Sequence, residues 1–342
     1  MHVVILATAP PQRLRSEVRL TCMALPHDVL APEIREVPAS RPYRARVRSV
    51  TQLSESYLRI VFTSPRFATF GVDRLDQRIK LAFPLANGYL ADFGADLDDL
   101  GESFAWYATW RQLAEHERNP IRTYTVRDVN QADHSVTVDF VCHGDAGPAS
   151  RWARAAVPGD EIILVGPDSR STNSSLGIDF RPGMSQHILL VGDETAAPAI
   201  CSILECLPAA QDVSAFIEVP RDGDVQQIFG PHASSATWLP RGHDRVGELL
   251  VPAVTQWLDQ RPGLIAAAAA ARLQRLEDID VDVDMLWDSP EAPGAGEFYA
   301  WLAGESAVIK TLRRALVTTR GIDRTRVAFM GYWREGRSEN NG

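Results

Sequence analysis

Arg122-Thr123-Tyr124-Thr125 is the stretch whose residue types and order point most directly to chemistry. These are β-formers, and side chains along a strand alternate between faces. Arg122 and Tyr124 therefore share one face, and Thr123 and Thr125 the other. A guanidinium can fork onto a phosphate while the phenol ring beside it lies against a flat aromatic system. Further on, Val136, Val138, Phe140 and Cys142 alternate with Thr137, Asp139, Val141 and His143, the pattern of a second strand. The chain then turns through His143-Gly144-Asp145-Ala146-Gly147 into Pro148-Ala149-Ser150-Arg151-Trp152-Ala153. Pro148 suits the first position of a helix, where its missing N–H costs nothing. Helix N-termini present unpaired backbone donors, and Gly144 and Gly147 let a ligand come close to the backbone. A diphosphate is the group such a turn receives. The helix is expected to end at Val157-Pro158-Gly159-Asp160, before a strand from Glu161 to Val165.

These residues also resemble a known family. The run R-x-Y-T, then D-F-V-x-H-G, then G-P-A-S-x-W-A and P-G-D-x-I-x-x-x-G-P is similar to the siderophore-interacting proteins. Those are FAD-containing reductases within the wider ferredoxin-reductase-like group. The plainer alternative is an antiparallel barrel whose Arg and Tyr are ordinary surface residues; four submotifs in order weigh against it. The resemblance spans roughly residues 43–337. It implies an FAD site made by Arg122, Thr123, Tyr124, Thr125, Asp139, Phe140, Val141, Cys142, His143, Gly147, Ala149, Ser150 and Arg151. Asp139 and His143 enter on the resemblance alone, because a single His at a strand end is more often structural. The family usually has a glycine two places after Pro167, where this chain has Ser169, so no contact is assigned there.

The elements that must position these residues fall into two kinds. From Arg44 to Val165 about six alternating segments separated by turns predict a small antiparallel barrel, interrupted by an excursion from Asn87 to Arg118 with a short helix near Trp110. Beyond Arg181-Pro182-Gly183 the period changes. His187–Gly192 is nearly all apolar, as in a strand covered on both faces. Helices are expected over Ala196–Leu207, Glu248–Leu258, Leu264–Leu276 (six consecutive alanines) and Ser306–Arg320, with strands at Val213–Val219, Phe298–Ala303 and Val327–Gly331. Strands alternating with helices imply a mostly parallel sheet. The fold class is thus β followed by α/β: an extension over residues 1–40, partly disordered; an FAD-binding six-stranded barrel over 41–181; and a parallel-sheet NAD(P)H-binding domain over 182–342.

Ligands of open α/β sheets collect at the carboxyl ends of strands. Gly192-Asp193-Glu194-Thr195 occupies such a place, yet it lacks the G-x-G-x-x-G fingerprint and its acidic pair is wrong for a phosphate. Thr195 as a helix N-cap is an equal reading. The family resemblance nonetheless implies that Gly192, Asp193, Glu194 and Thr195 open an NAD(P)H site, joined by Gly304, Glu305 and Trp333. Trp333 is read either as a shield for the flavin or nicotinamide or as a packed core indole.

The chain has 342 residues, 45% of them apolar and 23% charged, the composition of a globular protein with room for two domains. A net charge of −9 argues against a nucleic-acid surface. No apolar run approaches the ~20 residues of a membrane span. Val3–Ala9 makes a poor signal peptide, and the four cysteines have no ligand spacing, so buried thiols in a reducing cytoplasm are expected. There is no nucleophile–base pair, which fits a flavoenzyme whose cofactor carries the chemistry. The resemblance implies a function, reduction of ferric siderophores to release Fe(II), with NADH or NADPH as donor and FAD as carrier. Anionic chelates would be drawn by a basic mouth, for which Lys80 and Arg127 are the candidates. A general flavin reductase and a non-catalytic siderophore-binding module are the alternatives.

Overall fold

The computed structural model describes residues 36–98, 104–142, 147–277, 279, 286–290 and 296–336. The first half is a curled antiparallel sheet. Its elements in chain order are β1 (Ser40–Gln52), β2 (Tyr57–Thr63), β3 (Arg78–Ala82), α1 (Ala105–Gln112), β4 (Ile121–Thr125), β5 (Asp128–Asn130), β6 (Ser135–Val141), α2 (Pro148–Ala155) and β7 (Glu161–Pro167). The strand order is β4-β3-β7-β1-β2-β6-β5, seven strands where six were expected; the extra one is the three-residue β5. β1 begins inside the span read as an extension, and Pro42 lies within it. Its partner there is Val165 of β7, while β2 pairs with β1 only from Arg46 onward. The proline therefore sits where β1 has no neighbour on its β2 side, a position that needs no N–H.

The inner face packs Tyr43, Phe62, Phe67, Phe70, Leu81, Val138, Phe140 and Leu164 into one core. The excursion carrying α1 covers the outer face instead, laying Phe93, Trp106 and Trp110 over Ala82, Ile163 and Val165. Asn119 fastens it there. Its side chain donates to the Phe83 and Tyr89 carbonyls at 2.9 and 2.8 Å and accepts from the Ala91 amide at 2.8 Å. The strand that follows is β4, so this clasp fixes where Arg122 and Tyr124 emerge.

The second half runs β8 (His187–Gly192), α3 (Ala197–Cys206), β9 (Asp212–Val219), β10 (Ala236–Pro240), α4 (Leu250–Asp259), α5 (Pro262–Ala268), β11 (Trp287–Asp288), β12 (Phe298–Glu305), α6 (Ser306–Arg313) and β13 (Val327–Trp333). The sheet order is β10-β9-β8-β12-β13-β11, parallel except for the short edge strand β11, which is antiparallel to β13. One face packs under α3 and the other under α4, α5 and α6, which is why β8 and β12 are apolar on both sides. The alanine run does not continue its helix to residue 276. α5 ends at Ala268, Ala269 bridges to Ile322, and the Ala270 amide donates to the Gly321 carbonyl at 2.9 Å. Tertiary pairing overrides helix propensity there. The last helix also stops being α-helical early, passing into a π-helical segment over Arg314–Thr319. Cys142 and Cys201 are buried thiols, but Cys206 at the end of α3 is exposed, contrary to expectation. Among the described residues no helix is long and apolar enough to cross a membrane.

The two sheets share buried polar contacts. Tyr57 Oη donates to the Glu194 carbonyl at 2.7 Å, Trp301 Nε1 to Asp76 Oδ2 at 2.9 Å, and Ser56 Oγ to Asp224 Oδ2 at 2.9 Å.

Candidate functional site

β4 pairs with β3 so that Tyr124 faces with Ile79 and Arg122 with Leu81, both inner-face core residues. Tyr124 is half-buried, its ring 4.4 Å from the ring of Phe140 on β6 and 6.4 Å from Phe83. Trp152 of α2 lies 5.4 Å from Phe83 and 6.2 Å from Phe140. This aromatic cluster puts the R-x-Y-T strand beside the helix that follows Gly147, although the two motifs are far apart in sequence. Phe140 thus serves the expected site from beneath, as backing for Tyr124. Ala149 is buried against the same core, while Ser150 is half-buried and Arg151 exposed.

α2 starts with Pro148 and has neither a side-chain cap nor an acidic residue in its first turn. A β-carbon built at Gly147 would meet nothing within 4 Å. Among the described residues no side chain caps the first amides of α2, and Arg122, whose Nη1 donates to the Ile121 carbonyl at 2.8 Å, carries a guanidinium on the same face of β4 as Tyr124. Guanidinium, uncapped amides and a partly exposed ring are a donor set that fits a diphosphate joined to a flat heterocycle, so the residues present fit FAD.

Other expected contacts belong elsewhere. Asp139 points to the outer face of β6, fully buried, with Arg59 Nε on Oδ1 at 2.7 Å and Arg59 Nη2 on Oδ2 at 2.8 Å. Both of its oxygens are taken, and it is a structural carboxylate. Val141, on the same face, packs against the core of the second sheet. Cys142 is buried, which raises its thiol pKa, and its carbonyl accepts from Arg154. His143 lies outside the described residues. Arg127 is not part of a mouth: it is 4% exposed and grips Glu205 of α3 with two bonds of 2.7 Å. Burial alone works against its charge, but Glu205 and Asp139 hold it firmly protonated. Lys80 donates to Thr123 Oγ1 at 2.6 Å and so shares the face of Thr123, opposite that of Tyr124. Thr125 is on that face too, buried across from Arg78.

At the carboxyl edge of the second sheet, the acids that the family resemblance assigned to NAD(P)H are used internally. Asp193 is fully buried. Its Oδ1 accepts from the Thr195 amide at 2.9 Å and hydroxyl at 2.6 Å, and its Oδ2 from the Glu305 amide and Trp333 Nε1, each at 2.7 Å. Burial, and then the charge of Glu194, pushes its pKa up to about 6. Glu194, also buried, receives both Nη atoms of Arg241 at 2.6 and 2.5 Å. Glu305 caps α6, accepting from the Ala307 and Val308 amides at 2.7 and 3.0 Å. Gly192 and Gly304 serve close packing: β-carbons there would come 2.7 Å from the Ala303 carbonyl oxygen and 2.6 Å from Asp193 Oδ2. Trp333 is thereby a tethered indole at the end of β13, and Thr195 a partner of Asp193. A further acid went unread in the sequence. Glu218, at the end of the apolar strand β9, accepts from the Gly247, Leu249 and Leu250 amides at 2.7, 3.0 and 3.1 Å. A lone carboxylate in an otherwise apolar strand was the available signal.

Comparison with known proteins shows the family. The profile of the siderophore-interacting FAD-binding domain matches residues 46–171, and that of the siderophore-interacting protein family residues 185–336. The uncharacterized protein Rv2895c of Mycobacterium tuberculosis (strain ATCC 25618 / H37Rv) is 31% identical over 312 residues, 88% of this chain and 93% of that protein. The ferric vibriobactin reductase ViuB of Vibrio cholerae serotype O1 (strain ATCC 39315 / El Tor Inaba N16961) is 26% identical over 288 residues, 84% of this chain and 87% of its own length. The crystal structure of a siderophore utilization protein from T. fusca superposes with a TM-score of 0.63 at 26% identity, covering 90% of this chain and 97% of that one. The chain therefore belongs to the siderophore-interacting protein family, and its curled sheet is that family's FAD-binding domain.

Proposed function

We propose that the protein is a flavin-dependent reductase that takes electrons from NADH or NADPH and delivers them to a ferric siderophore, freeing Fe(II) in the cytoplasm. The observation that carries this reading is the aromatic cluster of Tyr124, Phe140 and Trp152, which joins the R-x-Y-T strand to the uncapped helix α2. In the proposed arrangement Arg122 and the amides around Ala149 and Ser150 hold the diphosphate of FAD, and Gly147 leaves room for it. Tyr124 offers its ring face, kept in orientation by Phe140 and Phe83. Thr123 and Lys80 lie on the other face of the strand, bonded to each other and turned away from the ring face of Tyr124. When bound, FAD supplies acceptance of a hydride from the reduced nicotinamide and release of the two electrons one at a time. The sum is one nicotinamide oxidised and one proton released for every two ferric ions reduced. Fe(II) is held far less tightly than Fe(III) by hard oxygen ligands, so iron is released without any protein ligand to it. The similarity to ViuB supports a ferric chelate as acceptor.

The test is an anaerobic titration of FAD-saturated protein with each nicotinamide, followed by absorbance, and then addition of a ferric catecholate. Bleaching of the flavin by the donor and its recovery on adding the catecholate are expected. A protein that takes up no flavin, or whose reduced form leaves the chelate ferric, sinks the reading.

A further inference from the structure

We propose that the second sheet takes its electron donor by the nicotinamide half alone, with no built site for the donor's diphosphate and adenosine among the described residues. This deepens the nicotinamide-donor reading above and rests on it. In open α/β sheets the diphosphate of a dinucleotide ordinarily lies on a helix N-terminus at the carboxyl edge of the strands. Here two of the helices at that edge begin under a carboxylate of the chain itself, Glu218 at α4 and Glu305 at α6. Before α3, Asp193 takes the Thr195 amide, and its own carbonyl takes the amides of Ala196 and Ala197. These amides are occupied, those of Thr195, Leu249, Leu250, Ala307 and Val308 by carboxylates, which carry the charge of a phosphate, and those of Ala196 and Ala197 by a backbone carbonyl.

One cation at this edge, Arg241, is also engaged. Arg241 grips Glu194 with two short bonds and lies 3.9 Å from Glu218. The glycines at the edge, which in a nucleotide fold admit phosphate to the backbone, here admit protein. Gly304 is filled by the approach of Asp193, and Gly192 by Ala303. Beside α6 a hollow of about 320 Å³ opens between Arg245, Gly247, Glu248, Val308 and Glu335, with Glu305 in its wall. Its lining sets three carboxylates against one guanidinium, the wrong balance for a diphosphate. A nicotinamide ring and its ribose are uncharged in the reduced donor and meet none of this repulsion.

The experiment compares NADH, NADPH and reduced nicotinamide mononucleotide as reductants of the FAD-loaded full chain by anaerobic stopped flow. A calorimetric titration with ADP gives an independent readout. Efficiencies for the mononucleotide and NADH within about fivefold of each other, no advantage for NADPH, and no saturable heat from ADP at roughly millimolar concentration support the proposal. A larger preference for NADH or NADPH over the mononucleotide, or saturable ADP binding that competes with NADH, overturns it and leaves the donor assignment standing. If dithionite bleaches the flavin and none of the three donors does, the donor assignment fails and takes this inference with it.

Discussion

Each sheet turns from strand to helix at its working edge, and the two treat the amides exposed there in opposite ways. After β6 the chain enters α2 through Gly147 and Pro148 with no side-chain cap and no acid in the first turn. After β10 and β12 it enters α4 and α6, with Glu218 of β9 and Glu305 of β12 already on the amides. Both arrangements satisfy the same orphan donors. The difference is whether the anion comes from the chain or from a ligand, and it decides which turn can grip a phosphate. A strand-to-helix turn is an anion site only while the fold leaves its donors vacant.

Four substitutions test this contrast, the largest effect first. Glu218→Ala strips three amides of their acceptor and leaves Arg241 short of a partner inside the protein. It is expected to lower stability by roughly 3–5 kcal/mol, read from the urea midpoint, with FAD affinity unchanged in the folded fraction. A loss under about 1 kcal/mol would mean that water replaces the carboxylate easily. Arg122→Ala should weaken FAD binding by about 2–3 kcal/mol, a rise in dissociation constant of roughly 30- to 150-fold by flavin fluorescence, with little change in melting temperature. Equal affinity would remove Arg122 from the diphosphate.

The third test uses pH. Asp193 is raised from 3.8 to about 6 by burial and by Glu194, and Asp76 to about 6 chiefly by burial. A carboxyl raised on folding binds its proton more tightly in the folded state, so its contribution to stability falls as pH rises from about 4 to about 6. Asp193→Asn should therefore abolish roughly 2 kcal/mol of the stability difference between pH 7 and pH 4. Identical pH profiles for the variant and the parent would show that Asp193 does not titrate in that window. The smallest effect is the most pointed. Gly147→Asp gives α2 the kind of acid that the second sheet already has, at a backbone conformation with φ −118 that any residue adopts. It should leave stability unchanged or raise it by up to about 1 kcal/mol, while weakening FAD binding about tenfold by fluorescence titration. Undiminished FAD affinity would mean that α2 and its amides lie away from the cofactor.

Local order made much of the first site legible. Alternation put Arg122 and Tyr124 on one face, and Gly147-Pro148 marked a helix start; both are properties of a few consecutive residues. The approach of Tyr124 to Phe140 and Trp152 was not legible, because register between strands depends on the whole sheet. Arg127 was misread for the same reason. As a basic residue just past the R-x-Y-T run it suggested a mouth, and only its partner Glu205, 78 positions away, reveals it as a buried clamp. On the second sheet the acidity of Asp193-Glu194 was legible as a reason to doubt a phosphate there. What those carboxylates hold instead is set by Arg241, Glu305 and Trp333, none of them near in sequence. The alanine run failed as a guide because a bridge from Ala269 to Ile322 outweighs propensity once the chain is folded.

The hydrogen bond from Trp301 to Asp76 and that from Tyr57 to the Glu194 carbonyl have a consequence for how the molecule holds together. Separating the halves would exchange each of these bonds for one to water and bare the apolar surface packed around it, so the polar seam costs little to open and its burial is what holds the halves together.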